Sequence, residues 1–395
     1  MADRNAIMSV FAQAADNPLD YARKWKADNQ RPVVGILPMN FPAELVHAVG
    51  ALPVILQEDD EPVTVGASRI FNFYCGYNRS LVNQTLSDDF QFMDAIMLGD
   101  HCVQILGTAD VMRNHMPNVP VLYDQLVSTI NAPWAFSESR RVVNFLKERL
   151  EETLGCTIGD QEMHKSIKIF NKSRQLMRKL YDLRVSGQLV ISSFDVQAIV
   201  KSSMIMDREE HTQLLEEFLT EISASASVPE DKIPLYLSGH MCHAPKPELL
   251  KVIEDCGGII VADDLYTGYR YISTDMDESG DPLDVMTNWY LDRNKKVPCP
   301  TRSARQYDWD DFLVNAVKTS GAQGVVILMV KFCEPHLYYY PDIKTKFEQS
   351  SIPYLMIETE HESMPVEGLK TRLETFMEVA RNKHLFQQKK SQHAI

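Results

Sequence analysis

Short apolar runs alternate with longer polar or helical stretches in two separate parts of the chain, and this alternation constrains the fold strongly. The runs lie near residues 33–38, 52–56, 94–98 and 119–123, and again near 233–238, 258–262, 324–329 and 353–357. Such runs suit strands that are buried on both faces, as in parallel sheets covered by helices. The pattern therefore predicts an α/β fold with two flavodoxin-like parallel-sheet domains.

Between the two series the pattern changes to long amphipathic helices, in which apolar residues recur at intervals of three and four. This change predicts three parts. We expect a first α/β domain over 1–138, a helical segment over 139–228 and a second α/β domain over 229–395. The second domain should close with a helix near 365–382.

Composition excludes some classes of partner. The 395 residues carry a formal net charge of −14, and because phosphate binding needs a basic surface, nucleic acid is not expected as a partner. The sequence contains no apolar run of about 18 residues and no signal-peptide pattern, so no membrane association is expected. An odd number of cysteines, seven, is poor evidence for a disulfide framework and suits a reducing compartment. We expect a cytoplasmic protein.

Three of the cysteines stand where a strand or apolar run gives way to a loop that starts a helix. They are Cys75 in FNFYCGYNRS, Cys102 in IMLGDHCVQI and Cys333 in ILMVKFCEPH. Ligands of open parallel sheets bind beyond the carboxyl ends of the strands, so these thiols are positioned for a metal, and three of them suggest an iron–sulfur cluster with one iron left open. Since the chain has no CxxC pair, structural thiols are the alternative interpretation.

The other cysteines have weaker settings. Cys242 follows a predicted strand between two histidines and is the next ligand to test, and Cys299 also lies near a loop. Cys156 in a polar turn and Cys256 before two glycines fit small buried residues.

The order and spacing of several sequence blocks resemble those of the benzoyl-CoA reductase and 2-hydroxyacyl-CoA dehydratase family. The blocks are GILPMNFPAELVHAVGALPV (35–54), YCGYNRSL (74–81), FMDAIMLGDHC (92–102), GGIIVADDLYTGYRY (257–271), KFCEPHLYYYPDIK (331–344) and IPYLMIETEHESMPVEGLKTRLETFME (352–378). FMDAIMLGDHC and the earlier DYARKWK are closer to the smaller, cluster-bearing subunit of benzoyl-CoA reductase than to the dehydratases.

The resemblance implies that Cys75, Cys102 and Cys333 hold one [4Fe-4S] cluster with one open iron site. It also implies two protein partners: a paralogous subunit, and an ATP-hydrolysing iron–sulfur activator that donates an electron at very low potential. The electron would pass to the thioester carbonyl of a coenzyme A substrate, and the resulting ketyl radical anion would either expel a hydroxyl group or lead to a dearomatised ring. The chain itself has no nucleotide-binding glycine motif, so ATP hydrolysis belongs to another protein.

Proton donors and substrate contacts can be proposed from the same blocks. His101, Glu334 and His336 lie closest to the thiols in sequence and are the candidate catalytic acids. Helix capping by the histidines and a helix start at Glu334 are the commoner explanations of such residues. Asn40 and Glu44 belong to a loop that faces the substrate in the family, but the same stretch also makes an ordinary helix start.

Arg270 is the third candidate for substrate binding. It follows Asp263 and Asp264 in ADDLYTGYR, where the three charged groups could contact the phosphates of coenzyme A or form a structural ion pair. Both interpretations stay open at this stage.

Three functions are compatible with these observations. The first is a catalytic subunit of a radical CoA-thioester enzyme, with aryl-CoA reduction favoured and (R)-2-hydroxyacyl-CoA dehydration as the alternative. The second is an electron-relay subunit of the same assembly, which a fully ligated cluster would fit. The third is a metal- or solute-binding α/β protein without turnover.

Overall fold

The computed structural model describes residues 3–37, 42–99, 102–220, 231–239, 242, 244–302, 308–361 and 366–392, with side chains from 368 to 383 in the last range. Two four-stranded sheets, parallel throughout, lie in these ranges. The first sheet has the order β2-β1-β3-β4, with β1 (Val33–Ile36), β2 (Leu52–Ile55), β3 (Ala95–Gly99) and β4 (Val121–Asp124). The second has the order β6-β5-β7-β8, with β5 (Ile233–Gly239), β6 (Gly258–Asp263), β7 (Gly324–Val330) and β8 (Tyr354–Thr359).

Helices connect the strands and cover both sheets. In the described ranges they are α1 (Arg4–Asp16), α2 (Pro18–Asn29), α3 (Ala43–Ala48), α4 (Gly76–Leu86), α5 (Val103–His115), α6 (Ala135–Leu154), α7 (Asp160–Val185), α8 (Ser193–Ser203), α9 (Arg208–Thr220), α10 (Pro247–Asp255), α11 (Tyr269–Ile272), α12 (Pro282–Lys296), α13 (Trp309–Ser320), α14 (Glu334–Gln349) and α15 (Val366–Gln392). Local sequence signals determine where several of these helices begin or end. Asp281 accepts hydrogen bonds from two backbone N–H groups at the start of α12, and Gly155 ends α6 in the left-handed conformation.

The strand order creates one topological switch point in each sheet. From β1 the chain moves outward to β2 and then crosses to β3 on the other side of β1, and β5, β6 and β7 repeat this path. The two central strands of each sheet therefore have connections that leave in opposite directions, and a crevice opens between their carboxyl ends. The carboxyl ends of β1 and β3, and of β5 and β7, border these two crevices.

One buried core connects both sheets with the helices between them. Val34 and Met97 of the first sheet and Val325 and Ile327 of the second belong to the same apolar cluster as Phe170 of α7. All five side chains are at most 2 % exposed. The helical segment thus packs on both sheets at once, which holds the ends of their strands in a fixed relation.

The structure confirms the predicted α/β fold with two flavodoxin-like parallel sheets. Each predicted strand is present, with ends shifted by a few residues, and the long helices after 139 appear as α6, α7 and α9. The sequence pattern does not predict α1, α2 or α8, and the three-part domain division remains a prediction. Among the described helices, none combines the length and the apolar character that crossing a bilayer requires.

Candidate functional site

Three cysteine residues occupy the same structural position at the start of three helices. Cys75, Cys102 and Cys333 are the N-cap residues of α4, α5 and α14. Cys102 follows β3 and Cys333 follows β7, so two of the thiols come from the switch-point crevices of different sheets. The positive end of a helix dipole favours a thiolate there.

All three thiols line a single cavity of about 390 Å³, and the thiol of Cys242 lines it as well. This volume lies in the range of roughly 300–1,000 Å³ typical of ligand pockets. Four sulfur donors on one cavity form a donor set that suits iron–sulfur clusters or soft metal ions, in contrast to the oxygen ligands of magnesium or calcium. The residues present therefore fit a cluster.

The rest of the cavity wall is mainly apolar and aromatic. Phe332, Pro335 and Tyr339 contribute to it, together with Tyr338 and Val103. The last two side chains are 82 % and 68 % exposed, so they lie at the mouth of the cavity. An apolar wall limits the access of water, which strengthens electrostatic interactions among the groups inside.

Gln104 connects the loops that carry the thiols. Its Oε1 accepts a hydrogen bond from the backbone N–H of Cys75 at 2.9 Å, and its Nε2 donates to the carbonyl oxygen of Phe332 at 3.0 Å. Because Gln104 is itself two residues beyond Cys102, one buried side chain fixes the relative positions of all three cysteine-bearing loops.

A second amide contacts a thiol sulfur directly. The Nδ2 of Asn78 donates a hydrogen bond to the Sγ of Cys75 at 3.1 Å. The hydroxyl of Thr108 donates to the Oδ1 of Asn78 at 2.8 Å, which orients the amide so that its NH₂ group points at the sulfur. Hydrogen bonds to cysteine sulfur are one of the means by which proteins set the potential of a cluster.

The turn before Cys333 has an unusual backbone conformation. Phe332 adopts φ of 64°, a region that bulky residues rarely enter. The backbone N–H of Cys333 closes this turn by donating to the carbonyl oxygen of Val330 at 3.0 Å. The left-handed residue turns the chain sharply at the end of β7, so that Cys333 faces the cavity and α14 can begin at once.

Burial and mutual proximity raise the pKa values of three of these thiols, which favours their protonated form in the absence of a cation. Burial raises the pKa of Cys75. Burial and then the neighbouring Cys75 raise the pKa of Cys333, and burial and then Cys102 raise the pKa of Cys242. Metal binding requires the deprotonated sulfur, so iron would have to be loaded with release of these protons.

Arg270 forms a buried ion pair with Asp264. Its guanidinium lies 3.2 Å from the Oδ2 of Asp264 and donates to the carbonyl oxygens of Val297 and Pro298, both at 2.7 Å. The Oδ1 of Asp264 in turn accepts from the backbone N–H of Gly239 at 3.3 Å. The structural interpretation of Arg270 thus has direct geometric support, whereas substrate binding by it remains a prediction.

The other predicted site residues lie in different environments, and of those that the structure describes Glu334 alone lines the cavity. Glu334 is exposed, lines the cavity and begins α14. His336 is fully buried beside Trp309, its ring nitrogens have no hydrogen-bond partner among the described residues, and burial lowers its pKa to about 3. Glu44 is buried and forms a 2.6 Å ion pair with Arg174. The catalytic and substrate-binding roles of these three residues stay predictions.

Two of the predicted residues, His101 and Asn40, lie outside the described residues. Sequence reasoning also missed Gln104 and Asn78. Each is a polar residue in the first turn of a helix that follows a candidate cysteine, two positions after Cys102 and three after Cys75. Polar side chains at these positions are the signal that could have identified them, because they lie near the N-cap on the same turn.

The fold and the site together define an α/β protein that presents clustered thiols at the carboxyl ends of parallel strands. The family model described as "2-hydroxyglutaryl-CoA dehydratase, D-component" matches residues 38–380, and the chain belongs to this family.

Three relatives illustrate its range. A benzoyl-CoA reductase subunit of Thauera aromatica is 26% identical, over 92% of this chain and 95% of its own. The beta subunit of (R)-phenyllactyl-CoA dehydratase from Clostridium sporogenes is 25% identical, over 96% and 100%. The beta subunit of (R)-2-hydroxyglutaryl-CoA dehydratase from Acidaminococcus fermentans is 24% identical, over 95% and 99%. The predicted family is therefore confirmed, and each of these relatives is a subunit of an enzyme of CoA thioesters.

Proposed function

We propose that this protein is the cluster-bearing subunit of a multi-subunit enzyme that reduces a CoA thioester by one electron. The observation that carries the proposal is the convergence of three helix-capping thiols, Cys75, Cys102 and Cys333, on one cavity. Family membership supports it, because the relatives are subunits of reductases and dehydratases of CoA thioesters.

In this proposal the three cysteines hold a [4Fe-4S] cluster. The cluster would supply one-electron transfer at low potential. The contributions of the chain are positional and electrostatic. Gln104 holds the three loops together, Asn78 donates a hydrogen bond to a ligand sulfur, and the apolar wall with Phe332 and Tyr339 excludes water.

Aryl-CoA reduction is the first candidate for the overall reaction. It is supported by the likeness of FMDAIMLGDHC and DYARKWK to the reductase branch and by the similarity to the benzoyl-CoA reductase subunit of Thauera aromatica. Dehydration of an (R)-2-hydroxyacyl-CoA is the second candidate, favoured by the description of the family model and by the dehydratase beta subunits. In both reactions the substrate is an acyl group activated as its coenzyme A thioester.

The proposal also requires two protein partners. A paralogous subunit would complete the enzyme, since the relatives are named as single subunits of larger enzymes. A separate ATP-hydrolysing iron–sulfur activator would deliver the electron, because the sequence has no phosphate-binding loop of its own.

The test is anaerobic purification with the partner subunit and activator, followed by iron analysis and assays with aryl-CoA and 2-hydroxyacyl-CoA panels. The wild-type chain should be coloured and contain about four irons. Cys75→Ala, Cys102→Ala and Cys333→Ala should each lose most iron and all activity. Cys156→Ala is the matched control, because Cys156 lies outside the cavity lining, just after the end of α6, and should keep both. A colourless wild-type protein without metal would contradict the proposal.

A further inference from the structure

Cys242 reaches the cavity from the strand next to the one that supplies Cys333. It lies three residues beyond the end of β5, as Cys333 lies three residues beyond the end of β7. β5 and β7 are hydrogen-bonded neighbours, with Gly239 opposite Leu328. The two strands border the switch point of the second sheet, so both thiols are presented at the same crevice.

The exit of the chain from β5 depends on Gly239. This residue has φ of 115°, and a Cβ atom at this position would lie 2.1 Å from the carbonyl oxygen of Leu328. Only glycine adopts this conformation so close to a neighbouring strand. The buried carboxylate of Asp264 accepts a hydrogen bond from the backbone N–H of Gly239, which holds the end of β5 in place three residues before Cys242.

The four cavity thiols differ from the other cysteines of the chain. Cys75, Cys102, Cys242 and Cys333 all line the cavity and pack against the same apolar cluster. Cys299 is buried outside the cavity lining, with its sulfur 3.1 Å from the hydroxyl of Thr301. The set of sulfur donors around the cavity is therefore four, one more than a cluster with an open iron requires.

We propose that Cys242 is the fourth thiolate ligand of the cluster held by this chain. The inference rests on the proposed function and deepens it. On coordination the S–H proton of Cys242 leaves to solvent, and an Fe–S bond replaces the bond between the fourth iron and any water or hydroxide. No electron is gained or lost in this exchange.

A cluster with four protein ligands has a different role from one with an open iron. An open coordination position is what allows a metal centre to bind a substrate oxygen. With Cys242 on the fourth iron, no thioester carbonyl binds iron in this chain. Such a cluster would supply electron transfer alone, which is the role of an electron-relay subunit of the enzyme.

The experiment compares anaerobically loaded wild-type protein with Cys242→Ala, Cys242→Ser and the control Cys256→Ala. Cys256 ends α10 and does not line the cavity. Native alkylation of apo and loaded protein, read by mass spectrometry, counts the cysteines that the cluster protects. Mössbauer spectroscopy detects an iron with a non-sulfur ligand, and mild oxidation tests whether one iron leaves to give a [3Fe-4S] signal in EPR.

We expect loading to protect Cys242 along with the three other thiols, and the wild-type cluster to show four sulfur-ligated irons that resist oxidation. Cys242→Ala should retain a cluster with one distinct iron, because it leaves in place the three helix-capping thiols whose loops Gln104 connects. This variant should lose about one of four irons on oxidation, while Cys256→Ala should behave as wild type. If wild type and Cys242→Ala both show an iron with a non-sulfur ligand, Cys242 is not the fourth ligand, but the proposal that this chain holds a cluster is unaffected. If wild type binds no cluster, the proposed function itself fails.

Discussion

The side-chain amide of Asn78 donates a hydrogen bond to the sulfur of Cys75 at 3.1 Å. Both residues are buried, Asn78 at 1 % and Cys75 at 7 % exposure, so the bond operates where water screens little. A donor directed at a thiolate stabilises the more negative, reduced state of a bound cluster over the oxidised state. The amide is therefore positioned to raise the reduction potential.

Removing this donor should lower the reduction potential of the cluster in the loaded protein. For Asn78→Ala, a loss of about 1.4 kcal/mol of preferential stabilisation corresponds to about 59 mV in a one-electron couple. Asn78→Asp replaces the donor with a carboxylate and should lower the potential further. Redox titration followed by EPR measures both shifts. Thr108→Val, which frees the amide to rotate, is expected to give a smaller shift in the same direction, and unchanged potentials in all three variants would contradict this role.

Gln104 should determine whether the loops can hold a cluster at all. Gln104→Ala leaves the buried N–H of Cys75 and the carbonyl of Phe332 without their partner, and each unsatisfied group costs about 1–3 kcal/mol. We expect a lower free energy of unfolding in the apo protein and reduced iron content after loading. Gln91→Ala is the control, because its side-chain amide donates an exposed hydrogen bond to Asp88. Native stability and full iron content in Gln104→Ala would rule out the bridging role.

The two interpretations of Arg270, a structural ion pair and substrate binding, predict different results for the same variant. If the ion pair with Asp264 is structural, Arg270→Met leaves a buried carboxylate unpaired and should destabilise the fold by about 3–5 kcal/mol, seen as a lower Tm. The exposed pair of Arg141 and Glu138 provides the control, since Arg141→Met should change stability by about 1 kcal/mol or less. A raised KM for the CoA thioester at unchanged Tm would instead favour substrate binding.

Local patterns are sufficient to predict the strands and the helix-capping cysteines. Apolar runs such as the one before Cys333 are buried on both faces of a sheet, and that requirement is visible in sequence. The convergence of Cys75 with the other thiols cannot be predicted in this way, because it depends on how the two sheets pack through shared helices. No local sequence pattern encodes the distances between these thiols.

The supporting contacts are less accessible to sequence reasoning for the same reason. Gln104 joins residues 29 positions before it and 228 positions after it, so its function exists only in the folded chain. The role of Gly239 is visible only once Leu328 of the neighbouring strand is known. Sequence reasoning marks Cys242 as the next thiol to test, but no local pattern groups it with the three others.

A buried histidine should make stability depend on pH. His361 pairs with Glu58 and donates from Nε2 to the carbonyl oxygen of Glu61, while Lys246 donates to the carbonyl oxygen of His361. Burial lowers the pKa of His361, but the hydrogen bond and charge of Glu58 outweigh this, and the net shift is upward. Because the pKa is higher in the folded protein, the stabilisation is complete below the unfolded value of about 6.5 and is lost as pH rises through the folded value.

His361→Gln should therefore reduce the free energy of unfolding most at pH below about 6.5, with the difference from wild type shrinking at higher pH. Chemical denaturation across this range measures it. His115→Gln, which removes an exposed pair with Asp88, should give a much smaller difference. Asp59 also faces His361, and burial raises its pKa, so Asp59→Asn combined with His361→Gln separates the two titrations. A difference that grows with pH would contradict the assignment.

Glu334 provides a test that links the cavity to the path of the substrate. It is exposed, lines the cavity beside Cys333 and is a predicted proton donor. A general acid next to the reacting thioester would contribute about 10²-fold or more to turnover.

If the cluster of this chain only relays an electron, however, the thioester is protonated elsewhere. We then expect Glu334→Gln to keep its iron content, its spectrum and a near-native rate. Glu348→Gln, farther along α14 and bonded to Tyr354, is the matched control. A loss of about 100-fold with an intact cluster, absent from the control, would mean that the thioester reacts in this cavity and would count against Cys242 as a permanent fourth ligand.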